Sequence, residues 1–351
     1  MRNWRLIATA SLIAASALID HGARAQSEAM SKPGAHLVLS LDTDDLRTHW
    51  LGSMRDEIRS RLREAKLGFS GLAVAENAVQ VRLAKPEDAD AALKVVADLA
   101  PAAPSGIVER MLSPLRRLPG SDVAIAKGEG GLIAITPTVA GLERRTSAAL
   151  DDAAAVAGRR LDGMGVVANV VRRGLDRIHV HAPALQETAA LKELLAKPAR
   201  LGFHEVHATL RAEEARQGRV PVGFKIYPVR EQPHSELLRE APVVRGNDLV
   251  DAQATFDQRT SEPAVAFRFN SAGARTFGRF TTENIGRPFA IVLDDVVLSA
   301  PVIREPILGG AGQLSGNFTA EDAKQLAVQL RSGALPAKLL VVEERVVPSS
   351  R

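Results

Sequence analysis

Arg287–Pro336 reads RPFAIVLDDVVLSAPVIREPILGGAGQLSGNFTAEDAKQLAVQLRSGALP, and this stretch decides the fold. Phe289–Leu293 is a short apolar run that ends at Asp294-Asp295, and Val296–Ser299 follows, so the pair predicts a β-hairpin. A glycine cluster comes next: Gly309, Gly310, Gly312 and Gly316. Thr319 then opens a helix. Its hydroxyl caps free N–H groups, and Glu321 and Asp322 place negative charge where the helix dipole favours it. Ala323, Leu326, Ala327 and Leu330 recur at helical spacing and form one apolar face. Gly333 ends the helix and Pro336 prevents its resumption.

Upstream, the pattern predicts a strand at His36–Leu41 and a helix over Asp42–Lys66 with Leu46, Leu51, Met54, Ile58 and Leu62 on one face. Strands Phe69–Ala75 and Ala78–Leu83 flank a turn at Glu76-Asn77, and a helix covers Pro86–Leu99. Pro101–Gly120 carries four prolines and reads as a linker holding a short helix at Ile107–Leu115. Val123–Ala126 begins a further strand. The same order then returns: strand Gly131–Thr136, helix Leu142–Asp162, strands Val166–Arg172 and Arg177–Ala182 around Gly174, helix Gln186–Ala196, and strand Leu201–Ala208. Arg61-Leu62, Val79–Arg82 and Ala92–Lys94 line up with Arg160-Leu161, Ile178–His181 and Ala190–Lys192. The expectation is an α+β protein with tandem ferredoxin-like βαββαβ units, over 34–127 and 128–208.

The composition changes from Thr209. Arg211–Gly223 is charged and aperiodic, and Gln232–Ala241 reads as a loop or short helix. Leu249–Phe256 and Ala264–Phe269 read as strands, and Ala272–Asn284 as a helix with Ala274, Phe277 and Phe280 inward. Leu339–Val342 and Val346-Val347 are strand-like.

A length of 351 residues suits two domains or three. Aromatics make up only 4%, so the core is expected to be Leu, Val, Ile and Ala, and a ring-stacking nucleic-acid surface is disfavoured. The net charge of +4 comes partly from the N-terminus. Arginine pairs such as Arg116-Arg117, Arg144-Arg145 and Arg172-Arg173 are scattered rather than striped, so no nucleic-acid partner is expected. Arg2 and Arg5, the apolar Leu6–Ile19 and Ala23-Arg24-Ala25 read as a signal peptide over 1–25 that is cleaved on export to the periplasm. The alternative is an inner-membrane anchor through 6–19, although that run is short of the ~20 residues that span a bilayer. The absence of cysteine excludes thiol catalysis and cysteine-ligated metal.

No chemical constellation emerges. Gly309–Gly312 lacks the Gly-Lys-Ser/Thr of a phosphate loop, so a structural turn is expected. His179 and His181 share one face of a strand, and His204 and His207 sit on a strand that could join the same sheet. Imidazoles so paired can bind Zn²⁺ or Cu²⁺. However, Ile178, Val180 and Ala182 claim the core side, and no carboxylate completes a ligand set. Asp44-Asp45, Asp151-Asp152 and Asp294-Asp295 are neighbours in sequence rather than carboxyls converging across a cleft. No Gly-x-Ser-x-Gly elbow is present. The reading is therefore non-enzymatic, without catalytic, cofactor or metal residues. The edge of the hairpin Phe289–Ser299 is left open as a place where an extended polypeptide could add as a strand.

Gly286, Leu293-Asp294, Ser299–Pro301, Pro306-Ile307, Gly309-Gly310, Gly316 and Leu330–Pro336, with Arg331 and Gly333 among them, resemble the head of the large periplasmic region of SecD. SecD is the accessory membrane subunit of the Sec preprotein translocase. Arg160-Leu161-Asp162-Gly163-Met164-Gly165-Val166 and Arg173-Gly174 through Arg177 to Pro183 resemble the motifs that precede that head, and Leu46–Leu99 resembles the extra repeat of long SecD forms. The resemblance implies structural roles for Gly286, Leu293, Asp294, Pro301, Gly309, Gly310, Gly316, Arg331, Gly333 and Pro336 in the head. It implies the same for Arg160, Gly165, Gly174, Arg177 and Pro183 in the base. It also implies that the head, 209–336, is inserted into the base, with Leu339–Val347 returning so that the base comprises 128–208 plus 337–347. Connections near Ala208–Arg211 and Pro336–Lys338 would act as hinges. The departures are Ala168-Asn169 for Glu-Pro, Asp295 for the glycine of an Asp-Gly turn, and Val347–Arg351 where the family reads Gly-Pro-Ser-Leu-Gly and continues into proton-coupling membrane helices. The implied function is a module that binds unfolded preprotein as it emerges, beside Sec membrane subunits and without proton coupling of its own. The alternative is a free-standing, chaperone-like polypeptide binder.

Overall fold

The computed structural model describes residues 33–97, 122–258 and 260–348. The predicted signal peptide and the predicted helix Ile107–Leu115 lie outside the described residues. In chain order the first elements are β1 (Gly34–Leu41), α1 (Thr43–Glu64), β2 (Phe69–Ala75), β3 (Ala78–Leu83), α2 (Ala89–Ala97), β4 (Val123–Lys127) and β5 (Leu132–Pro137). Then come α3 (Val139–Gly163), β6 (Asn169–Arg173), β7 (Arg177–Ala182) and α4 (Ala189–Ala196). The next stretch holds β8 (Leu201–Glu205), α5 (Ala212–Gln217), β9 (Phe224–Pro228), β10 (Ser235–Arg239), β11 (Val244–Arg245), β12 (Leu249–Phe256) and β13 (Pro263–Phe269). The chain finishes with α6 (Ser271–Glu283), β14 (Phe289–Leu293), β15 (Val296–Ser299), β16 (Ala311–Ser315), α7 (Ala320–Ser332) and β17 (Leu339–Val347). The architecture is mixed α and β, with several antiparallel sheets.

The first four-stranded sheet runs β2-β3-β5-β4. Leu51, Met54, Ile58 and Leu62 of α1 pack on Val79, Val81, Ile133 and Ile135 of its strands. The second runs β17-β1-β7-β6, with α3 and α4 burying Leu150, Leu161, Leu191 and Leu195 against Leu37, Leu39, Ile178 and Val180. Two equivalent strands have therefore exchanged places relative to the sequence reading. Gly34–Leu41 was expected in the first unit but pairs with β7 and β17 of the second sheet. The strand predicted at Gly131–Thr136 was expected to open the second unit but, as β5, pairs with β3 and β4 of the first. Both strands alternate apolar residues in the same way, and that alternation specifies a buried face without specifying the sheet.

The stretch from β8 to α7 holds two further sheets, β11-β8-β14-β15 and β12-β13-β16, and the ribbon β9–β10. β8, expected to end the base, pairs instead with β14, Phe203 opposite Ile291. The reason lies in its side chain. Phe203 sits 5.2 Å from Phe267, 5.0 Å from Phe269 and 5.5 Å from Phe277 between ring centroids, and Phe289 completes the cluster. This core gathers six of the chain's 10 phenylalanines, with Phe280 packed against them, among a majority of Leu, Val, Ile and Ala, and the cores of the two other four-stranded sheets are mostly aliphatic as composition predicts. Gln232–Ala241, read as a loop or short helix, contains β10. Leu237 and Leu238 are both buried, one on each face, so no alternation betrayed the strand.

The predicted apolar face of α7 enters the head core through Ala323, Leu326, Ala327 and Leu330. Its other side is buried too. A Cβ built at Gly163, the end of α3, would lie 2.8 Å from Val328 Cγ1, so α3 and α7 approach closely. Helix α7 thus lies between the core that holds Phe203 and helix α3.

The Asp294-Asp295 hairpin turn has φ of 49° and 65° at its two residues, the left-handed conformation that a two-residue I′ turn demands. Asp295 carries a side chain where glycine is unstrained, offset only by an exposed contact of 3.2 Å with Lys225. Asp295→Gly is expected to raise stability by up to about 1 kcal/mol. A thermal melt that shifts downward instead would assign the larger effect to the Lys225 pair.

Candidate functional site: the junction of base and head

Two segments of chain cross between the sheet β17-β1-β7-β6 with its helices and the core around Phe203: 197–200, between α4 and β8, and 333–338, between α7 and β17. The side chains of four residues converge on them. Arg160, near the end of α3, is fully buried and donates to the carbonyls of Leu194 (3.0 Å), Lys197 (2.6 Å), Pro198 (3.0 Å) and Gly333 (3.4 Å). The first two carbonyls end α4, where no intrahelical donor remains. Arg160 thus replaces missing helix hydrogen bonds and touches both connections. Burial pushes its guanidinium down to about 10, with Asp294 pulling in the opposite sense. Arg159 beside it donates to the Ser332 carbonyl at 3.1 and 2.9 Å.

From the head, the Asp294 carboxylate accepts from the backbone N–H groups of Ala199 (3.1 Å) and Arg200 (2.8 Å). The Arg200 side chain crosses to α1. It donates to Asp45 Oδ2 at 2.6 Å, to the Pro336 carbonyl at 3.2 Å and to His49 Nε2. Asp45 also accepts from the Lys338 N–H at 2.9 Å. Burial works against the ionised Asp45, but Arg200 and the Lys338 N–H outweigh it and hold its carboxyl below the usual range. Burial, and then the Arg200 charge, hold the His49 imidazole below its ordinary value, while Asp45 acts the other way.

Of the residues singled out in sequence, Arg160, Asp294, Gly333 and Pro336 meet here. Leu293 precedes Asp294 in β14. Gly286, Pro301, Gly309, Gly316, Gly165 and Gly174 shape turns or strand ends elsewhere, Arg177 is exposed at the start of β7, and Arg331 is exposed on α7. Gly310, at φ 63°, lies so close to α6 that a Cβ would meet Ala274 Cβ at 2.4 Å. Pro183 abuts Gly34, where a Cβ would lie 2.5 Å from its Cα. Sequence reasoning gave Arg159, Arg200 and His49 no place here, and had Lys338 only as the end of an expected hinge connection. Asp45 had registered only as negative charge opening a helix.

The other candidates disperse. His179 and His181 face away from the core, and His181 stacks on His36 at 4.3 Å, but His204 belongs to β8 in a different sheet and turns Nδ1 to the Arg239 carbonyl at 2.8 Å. His207 Nδ1 accepts from the Leu210 N–H at 3.0 Å. Among the described residues, no three His, Asp or Glu side chains gather as metal ligands. Asp151 pairs with Arg172 at 2.8 Å. The glycine cluster leads into β16, not into a helix. The edge of β15 is partly closed, since Val297 bridges Val229 and accepts from the Arg230 N–H at 2.9 Å.

Two family models match: "SecDF, P1 head subdomain" over residues 224–337, and "Protein translocase subunit SecDF, P1 domain, N-terminal" over residues 150–208. The chain is 32% identical to the protein translocase subunit SecD of Rickettsia felis over 321 residues, covering 90% of this chain and 58% of that one. It is 34% identical to SecD of Acetobacter pasteurianus, with the same shares. It therefore spans less than two thirds of the length of these relatives. A solved structure of SecDF, described as a membrane component that enhances protein export, is 33% identical with a TM-score of 0.47, covering 57% of this chain and 94% of that one. No helix among the described residues is long and apolar enough to cross a membrane.

Arg160→Met would strand four carbonyls and is expected to lower unfolding stability by roughly 3 kcal/mol, with Arg160→Lys recovering part of it. Urea denaturation of the two variants checks this; equal stability of Arg160→Met and the parent would remove Arg160 from its central place. A second expectation concerns pH. Burial, the leading cause in each case, lowers His49, His179 and His204 in the folded chain. The unfolded chain takes up those protons near pH 6.5 and the folded chain only at lower pH. Stability should therefore fall as pH drops below about 6.5. His204→Asn should flatten that slope in denaturation curves recorded between pH 7.5 and 5, and an unchanged slope would exclude His204 as a contributor.

Proposed function

Because the chain carries a periplasmic region of the SecD family, we propose that it assists protein translocation in the periplasm by holding unfolded preprotein, in contact with Sec membrane subunits. The observation that carries this reading is the match of two separate SecDF models in their expected order, with about one residue in three identical across nine tenths of the chain. The proposed working parts are a base (34–41, 138–200 and 337–347), a head (201–336) and an N-terminal unit (43–137). The strand order β17-β1-β7-β6 supports reading the base as ferredoxin-like. The order β2-β3-β5-β4 supports a second such unit in which the strand at the first place comes last in the chain. Base and head have separate apolar cores and share two connections, which supports movement of one against the other.

An extended preprotein segment would add to the head along β12, which lies at a sheet edge and exposes Val250 and Phe256. The test incubates the tagged chain with detergent-solubilised bacterial membranes and, separately, with a permanently unfolded fluorescent polypeptide. Recovery of Sec subunits together with polypeptide binding that Ala254→Pro in β12 weakens at least several-fold is the expected result. Polypeptide binding without Sec subunits would favour the free-standing chaperone-like reading, and binding of neither would overturn the proposal.

A further inference from the structure

Helix α1 touches every part whose relative motion would matter. Its N-terminal end grips the second connection from both backbone groups: the Asp42 N–H donates to the Lys338 carbonyl at 2.9 Å, and the Lys338 N–H donates to Asp45 Oδ2 at 2.9 Å. The same Asp45 carboxylate receives Arg200 of the first connection at 2.6 Å. One carboxylate thus ties the two connections together. Three turns along, Arg55 donates to Glu240 Oε1 of the head at 2.7 Å. Between these points Trp50 lies under the Arg145 guanidinium of α3, 4.2 Å from the ring centroid, which joins α1 to the base.

We infer that α1 is a latch that sets the angle between head and base, with Asp45 as its pin and Arg55–Glu240 as its outer brace. The inference rests on the reading that head and base move relative to each other, and it assigns the control of that motion to the N-terminal unit. The physical argument is economy of attachment. A head hung on two single strands has rotational freedom about them, and a rigid helix fastened to base, connections and head removes it. Leu46 anchors the start of α1 in the apolar core of the base, whereas its ties to the connections and to the head are polar contacts at least partly open to water, which can be broken and remade without unpacking a core. Each of the three units keeps its own core, so breaking the polar ties of α1 while Leu46 stays in the base core leaves each one folded.

The chain has no native cysteine, so a label pair is clean. Asp152→Cys on α3 and Arg279→Cys on α6, both exposed, place one spin label on the base and one on the head of the full chain. Distances between them are measured by pulsed electron resonance. Asp45→Ala, and independently Arg200→Gln with Arg55→Gln, should broaden the distribution at least two-fold. Asp44→Ala, whose carboxylate reaches only the exposed Arg47, should leave it as it was. A third variant replaces Pro198 and Pro336 by glycine and loosens both connections directly. If it broadens the distribution while the Asp45 and Arg200/Arg55 variants do not, the latch is wrong and the moving head survives. If all three leave the distribution as narrow as in the parent, the moving head itself is wrong. Circular dichroism of each variant identifies any loss of fold, and the Arg200/Arg55 variant decides the matter should Asp45→Ala not fold.

Discussion

A single guanidinium without a carboxylate bonded to it organises the centre of this protein. Arg160 is buried and solvated by main-chain carbonyls, a substitute for water that only a converging backbone can provide. Two of those carbonyls end helix α4, and the others, of Pro198 and Gly333, belong one to each of the two connections. Burial of the charge is tolerable only while all of them point inward, so the cation and the crossing of the chains stabilise each other. Asp294 supplies the balancing charge, and it sits there because the head hairpin turns at that residue and offers its carboxylate to the backbone of Ala199 and Arg200. A tight turn in one subdomain is in this way tied to the exit of another.

The periodic parts of this arrangement were legible in the sequence. The face of α7, the hairpins around Gly174 and Asp294, and the long helix α1 all follow from spacing, because each has one apolar side and a recognisable end. The pairing of strands was not legible. β1 and β5 have the same alternation, and only tertiary packing decides that β1 enters the sheet with β7. β8 looked like the end of a repeat until its phenylalanine joined the head's aromatic cluster.

The junction was half visible. Arg160, Gly333 and Pro336 stood out because they fall within the motifs that resemble SecD, whereas Arg200, His49 and Lys338 carry no local signal. Their partners lie far away in the chain, and an arginine or lysine at a loop is by default a solvated charge. Asp45 was visible as one of two acids at a helix start, and that local explanation suffices for Asp44. What distinguishes Asp45 is a position one residue further round the helix, which aims it at the two connections.

The partnership of β1 with β17 has a consequence in time. Leu41 lies opposite Leu339, about 300 positions later, and such distant pairing is slow because a long loop must close before any contact rewards it. The sheet β17-β1-β7-β6 stays without its fourth strand until Leu339–Val347 has been made. The N-terminal unit and the head are continuous segments between those strands and can collapse earlier, each on its own core. Of these three units, the one closed by β17 is therefore the last to be completed.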